Sequence, residues 1–420
     1  MVFGLAVFGT ARGEAPWTWV SVGGDQGAIK VDTNGVILAE TSGVNYTFNA
    51  LCVNAFTGDL MAWYDARGDN NMQSRLYRFD ASGGLLTSLT GLRQYGSDGL
   101  PQKKMALDCL ARDVVYVTGG AYYAGWYQGI QRFSIGTAAL TQTLDLQLAA
   151  NSLGRIALDT DVLGSGSSLQ SVVYVGLSGQ NPGNVRLYAA DSDFSTISSS
   201  NTVNNARRIA AMAVFHKTAT MATIGLYNQM TALRTDTLAS WGSTPNTAPN
   251  PPFGTSPQDC PSTNGLWWSY FVSNPNYQVA QPTSPDPKGI VVDDTGYLWL
   301  STYGTETTYT NRWLIRLSLT NGVMASGFPI WLGDEEPTTG LALDREGHVW
   351  MGTISGNLYR FPPSGGTASG SGRDLVYAIP SAALVLSTNV SLTLGAGDAT
   401  GYDHWRKHID LHKGTLMLIL

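Results

Sequence analysis

Gly340 to Phe361 reads GLALDREGHVWMGTISGNLYRF, and Gly289 to Gly304 reads GIVVDDTGYLWLSTYG, followed by RWLIRLSLTNG from Arg312. The two stretches begin 51 residues apart and share one plan. Each has an apolar strand, an acidic turn closed by Gly, a strand carrying Trp, a loop, and a strand with Arg among apolar residues. Asp293, Gly296 and Trp299 match Asp344, Gly347 and Trp350. Short runs rich in β-branched and aromatic residues, bounded by Gly, Asn and Asp, read as strands joined by turns.

Weaker copies lie upstream. Asn49 to Leu86 holds ALCVNAFTGDLMAWYD and RLYRFDASGGLL, and Lys104 to Ile135 holds MALDCLARDVVYVTGG and GIQRFSI. Arg155 to Ala190 holds IALDTDVLG and VVYVGLSGQNPGNVRLYAA, and Arg208 to Ala239 is the most worn copy. A partial unit, WTWVSVGGDQGAIKVDTNGVILAET, opens at Trp17 and lacks a first strand. A unit this small cannot bury both its faces alone, whereas neighbours stacked radially can cover one another. The expected fold is therefore all-β: a single closed β-propeller of about seven four-stranded blades over residues 17–403. An apolar arm at 1–16 precedes it and a tail at 404–420 follows. Either Leu375–Ile379 or Ala383–Leu394 is expected to supply the missing strand of the first blade and close the ring. Residues 245–287, with ten Pro around GLWWSYFV, read as a Pro-rich surface flap, because Trp267, Trp268, Tyr270 and Phe271 are costly to leave in water.

Composition narrows the partners. Only 13% of the 420 residues are charged, 43% are hydrophobic, and 48 are Gly. Ser, Thr, Asn, Gln and Gly must therefore solvate much of the surface. The net charge is −6, and basic residues cluster no further than pairs such as Lys103-Lys104, Arg207-Arg208 and Arg406-Lys407, so a nucleic-acid partner is not expected. The three cysteines form no CxxC pair; Cys52 and Cys109 sit in apolar runs as buried thiols do, and Cys260 lies in a Pro-rich loop. No run of eighteen apolar residues suggests a membrane span. The start, MVFGLAVFGTARGEA, has no Lys or Arg before its apolar run and no clean small-x-small site, so retention of Met1 is expected.

The unit GLALDREGHVWMGTISGNLYRF resembles the repeats of two-component-regulator, NHL and virginiamycin-lyase propellers. The shared pattern is a strand, Asp-x-x-Gly, a small gap, Trp, then Gly-Thr or Ser-Thr, and two units covering about a quarter of the chain carry it. The resemblance implies a propeller and says little of function, since that fold hosts many jobs. In the lyase family, His and Glu near the central channel hold the metal and do the chemistry. The steps after the blade tryptophans here, Leu300-Ser301-Thr302 and Met351-Gly352-Thr353, supply neither. Lyase activity is therefore not carried over.

Ligand chemistry is expected at the end of the sheets that carries the loops between second and third strands and the links between blades. Asp65, Asp69, Tyr123, Trp126, Glu306, Tyr309, Asp334, Glu335 and Glu336 fall in those segments. Aromatics there could stack on sugars. No cofactor motif is present, and Ca²⁺ is the one metal that such oxygen ligands would suit. Two carboxylates can hydrolyse glycosides, but sequence sets no separation between them, and no catalytic residue is assigned. His404, His408 and His412 recur at i, i+4 and i+8, a row too long for all three to reach one ion; they read as a polar helical face. His348 reads as a turn side chain. Trp267, Trp268, Leu416, Leu418 and Leu420 are the expected partner contacts, because the LMLIL end would be a sticky exposed patch.

The leading expectation is a non-enzymatic structural or adhesive module of a larger assembly, with other protein subunits and a surface glycan as partners. A phage virion, in its tail or on its surface, is the expected setting. The alternatives are a bacterial carbohydrate- or ligand-sensing propeller, secreted or periplasmic, and a metal-dependent lyase or hydrolase. The repeat itself makes one prediction. Trp350→Ala should cost about 3–5 kcal/mol in urea unfolding, as a large-to-small core change does; a loss below about 1 kcal/mol would show that Trp350 packs nothing.

Overall fold

The computed structural model describes the strands and many turns between Pro16 and Leu394. Residues 1–15, 239–265, 269–285, 363–373, 379–392 and 395–420 lie outside the description, as do several loops between strands. In chain order the strands are β1 (Trp17–Ser21), β2 (Ala28–Asp32), β3 (Ile37–Glu40), β4 (Ala50–Val53), β5 (Leu60–Tyr64), β6 (Ser74–Phe79), β7 (Leu85–Leu92), β8 (Met105–Leu107), β9 (Val114–Gly119) and β10 (Gly129–Ser134). They continue as β11 (Ala139–Asp145), β12 (Ile156–Leu163), β13 (Gln170–Leu177), β14 (Asn184–Ala189), β15 (Thr196–Ser200), β16 (Ile209–Phe215), β17 (Thr220–Gly225), β18 (Met230–Arg234) and β19 (Leu266–Trp268). The last are β20 (Asp286–Val292), β21 (Tyr297–Tyr303), β22 (Trp313–Ser318), β23 (Ile330–Trp331), β24 (Pro337–Leu343), β25 (Val349–Thr353), β26 (Asn357–Phe361), β27 (Asp374–Ala378) and β28 (Thr393–Leu394). Among the described residues the one helical turn is a 3-10 turn at Gly166–Ser168.

These strands form seven small antiparallel sheets, so the fold is all-β. Six are simple meanders of consecutive strands, from β4–β7 to β24–β27. The remaining sheet is ordered β28-β1-β2-β3, with Val20 opposite Leu394 and Ser21 opposite Thr393. Both apolar runs that were candidates for the missing strand are thus used. Leu375–Ala378 lies in β27, the fourth strand of its own sheet, and the end of 383–394 pairs with β1. The Pro-rich stretch also contributes: Leu266–Trp268 pairs with β18 as a fourth strand, and Asp286–Pro287 begins β20.

The sheets bury both faces against one another. In β5, Leu60 and Ala62 join a cluster with Trp19 and Ala28 of the first sheet, while Met61 and Trp63 join Met105, Val115, Val117 and Phe133 of the third. Similar clusters join the third sheet to the fourth, the fourth to the fifth and the sixth to the seventh. This two-sided burial explains why second strands such as VWMGT are buried at every position rather than alternately. Outer strands are wetter: Ile37, Leu38, Leu86 and Ile197 are exposed. First strands lie side by side in series: β4 by β8, β8 by β12, β12 by β16, β16 by β20 and β20 by β24. Strand β28 neighbours both β24 and β4.

The Asp-x-x-Gly-x-x-Trp pattern is a hydrogen-bonded brace. Asp293 Oδ1 accepts the backbone N–H of Thr295 and of Tyr297, which sets the turn, and Gly296 adopts φ 84° there. Asp293 Oδ2 accepts Trp299 Nε1–H at 2.8 Å and sits 3.1 Å from Arg316 Nη2. Asp344 repeats each contact with Glu346, His348, Trp350 and Arg360, the last at 2.7 Å. In the third sheet Tyr116 replaces Trp, and its phenol donates to Asp108 Oδ2 at 2.7 Å. The other oxygen, Asp108 Oδ1, accepts Ser171 Oγ–H from the fourth sheet at 2.6 Å.

The pairing of β28 with β1 joins the two ends of the described chain. A Val20→Cys/Leu394→Cys pair is expected to form a disulfide under mild oxidation and to raise the melting temperature, because it closes a very long loop of the unfolded chain. Failure to cross-link, or equal melting of oxidised and reduced forms, would show that these strands do not pair.

Candidate functional site

In each meander the second strand begins at the turn from the first, an Asp–Gly turn in the sixth and seventh sheets, and runs antiparallel to the opposite end. The segments joining second to third strands therefore leave the sheets at the end away from the braces. Asp65 and Asp69 lie between β5 and β6, Tyr123 and Trp126 between β9 and β10, and Glu306 and Tyr309 between β21 and β22. Asp334, Glu335 and Glu336 link β23 to β24. All nine are outside the described residues, as are His404, His408, His412, Leu416, Leu418 and Leu420. Trp267 and Trp268 stand in β19, on the outer edge of the fifth sheet. The described residues hold no group of three or more His, Cys, Asp or Glu that could bind a metal. They also hold no helix long and apolar enough to cross a membrane, which says nothing of a β-barrel.

At this same end the structure brings together four side chains that the sequence reading did not single out. Tyr64, the last residue of β5, is the cross-strand partner of Arg75 on β6, and Tyr77 stands two residues further along the same face. Tyr46 comes from the link between the first and second sheets. That link is tied down where Gly27 N–H donates to the Tyr46 carbonyl and Phe48 N–H donates to Ser21 Oγ. The Tyr46 and Tyr64 rings lie 4.3 Å apart between centroids, tilted by 31°. The Arg75 guanidinium sits 5.2 Å from the centre of the Tyr46 ring. Arg75 Nη1 donates to Tyr46 Oη at 2.9 Å and reaches Tyr77 Oη at 3.4 Å.

Tyr77 is buried, while Tyr46, Tyr64 and Arg75 are half-buried. The hydrogen bond that Arg75 donates to Tyr77 raises the Arg75 pKa, so the guanidinium is charged throughout the working range. Burial pushes the Tyr77 phenol up, which keeps it neutral. The result is a fixed cation framed by aromatic rings and rooted in a rigid sheet. One signal for it was present in sequence: the Arg-Leu-Tyr step at 75–77 recurs at 186–188, where Arg186 Nη1 reaches Tyr188 Oη at 3.4 Å.

Elsewhere the titratable groups serve the fold. Burial and the Asp108 carboxylate push the Tyr116 phenol far up, so it remains a donor. His348, at the turn as expected, donates its backbone N–H to Asp344, and its Nδ1 stands 3.9 Å from the Asp344 carboxylate.

No protein-family model and no curated protein sequence matches this chain.

Burial and the nearby Arg360 lower the His348 pKa, outweighing the pull of Asp344 and Glu346. The unfolded chain therefore takes up the proton first, and stability should fall as pH drops through the ordinary imidazole value of about 6.5. Urea midpoints at pH 7.5 and 5.5 should show a larger acid loss for the wild type than for His348→Gln. Parallel pH profiles would mean that His348 does not contribute.

Proposed function

We propose that the seven sheets are the blades of a closed β-propeller that works as a non-enzymatic binding and adhesion module within a larger assembly. Two features support closure: the first strands neighbour one another in series, and β28 stands beside both the last and the second sheet. The observation that carries the functional reading is the Tyr46–Tyr64–Arg75–Tyr77 cluster. It is a preformed, half-buried aromatic and cationic surface at the loop end, of the kind that engages ligands or partner chains. The low charge content, 13%, suits the crowded, polar exterior of a particle, and the setting we favour is a phage virion, in its tail or on its surface.

In this reading the apolar LMLIL end makes subunit contacts. Light scattering should find the full chain self-associated and a variant lacking Gly414–Leu420 monomeric, with the same melting temperature. A full chain that stays monomeric at tens of micromolar removes the assembly reading. A shortened variant that unfolds places the tail in the core instead.

A further inference from the structure

The third strands carry a series of arginines, and most of those described are spent on carboxylates. Arg78 places Nε and Nη2 on Asp59, at 2.8 and 2.6 Å. Arg316 and Arg360 do the same with Asp293 and Asp344. Arg234 grips both oxygens of Asp236 at 3.1 Å. In each case the Nε/Nη2 edge of the guanidinium is the edge that is filled. That edge presents two parallel N–H groups matched in spacing to a carboxylate.

Arg75 differs. Its two hydrogen bonds both leave from Nη1 and both go to phenols. Its Nε and Nη2 donors have no partner among the described residues. The tyrosines hold the side chain in place while leaving the carboxylate-binding edge unspent, in a chain whose net charge is −6. The Arg75 guanidinium carbon lies 5.2 Å from the centre of the Tyr46 ring, and the Tyr64 ring is 4.3 Å from Tyr46 between centroids, so aromatic surface lies close to the cation.

We infer that Arg75, Tyr46 and Tyr64 form a subsite for a carboxylated sugar, a uronic- or sialic-acid residue of a polysaccharide. The acid group would sit on the Nε/Nη2 edge and the sugar ring against the tyrosines. The aromatic pair favours a saccharide over an acidic peptide, because a peptide carboxylate needs the fork alone. The inference rests on the reading of the loop end as a binding surface and deepens it by naming the ligand class.

The test uses the full chain and three probes in titration calorimetry: a galacturonate hexasaccharide, the same hexasaccharide with its carboxyls reduced, and oligoglutamate. The acidic saccharide should bind, and carboxyl reduction should weaken it at least tenfold. Arg75→Gln should lose at least tenfold as well, with an unchanged melting curve, and Arg75→Lys should fold while recovering only part of the affinity, since it keeps the charge without the fork. Tyr64→Ala should weaken both saccharides. Equal binding of the acidic and reduced sugars overturns the carboxylate role yet leaves a glycan-binding surface. Tight oligoglutamate binding through Arg75 without saccharide binding makes the site a peptide contact. Binding of none of the three at millimolar concentration overturns the inference outright. The self-association measurement does not involve Arg75, so the assembly reading and this one fail separately.

Discussion

Among the described residues the second, third and fourth sheets each pack apolar side chains against a neighbour on both faces, and much of the structure follows from that. A lone sheet of this size would expose Met61 and Trp63 on one side or Leu60 and Ala62 on the other. Neighbouring sheets remove that exposure, at roughly 25 cal/mol for each Å² of apolar surface withdrawn from water. The requirement propagates, because a covering sheet has a second apolar face of its own. It also explains the gradient from first to fourth strand. Inner strands are walled in by neighbours on both sides, while β3, β7 and β15 at the rim show Leu38, Leu86 and Ile197 to solvent.

The turn brace resolves a polar problem that this packing creates at two of the buried tryptophans. Trp299 and Trp350 are fully buried, and each carries an indole N–H that needs an acceptor. The same carboxylate that caps the turn supplies it and takes an arginine on the solvent side. Where the ring changes, the brace changes with it. Tyr116 reaches Asp108 with its phenol, and in the second sheet Met61, which stands opposite Arg78 as Trp299 stands opposite Arg316, has no N–H or O–H to donate, so the Asp59 carboxylate meets Arg78.

That chemistry decides how much was legible in sequence. The sixth and seventh sheets announced themselves through Asp, Gly and Trp at fixed spacing, and the third through Asp108 and its strand. The fourth and fifth kept only the strand pattern, and their edges were correspondingly obscure. Leu266–Trp268 could not be read as a fourth strand because a long Pro-rich stretch separates it from β18, and pairing across such a gap leaves no local signal. The same holds for Thr393–Leu394, which pairs with a strand at the other end of the chain. The acidic and aromatic loop residues proposed from sequence fall outside the described residues. Tyr46 and Arg75 were missed for a different reason. Neither is unusual in type, and their meaning lies in geometry: which edge of a guanidinium is already bonded.

The two ends of the sheets therefore do different work. At the turn end of the second, sixth and seventh sheets, charges are neutralised within the sheet: Asp59 with Arg78, Asp293 with Arg316, Asp344 with Arg360. Such an end is chemically closed, since a ligand would have to displace bonds that hold the turns. At the loop end the second sheet leaves a charged guanidinium on phenols, which position it without neutralising it. Phenols are weak partners for a cation compared with a carboxylate, so an incoming anion gains from Arg75 what Arg316 has already gained from Asp293. The arginines that meet Asp59, Asp293 and Asp344 are matched by a carboxylate, whereas Arg75 rests on phenols beside Tyr46 and Tyr64, and in our proposal that contrast is what marks the loop end as the place of recognition.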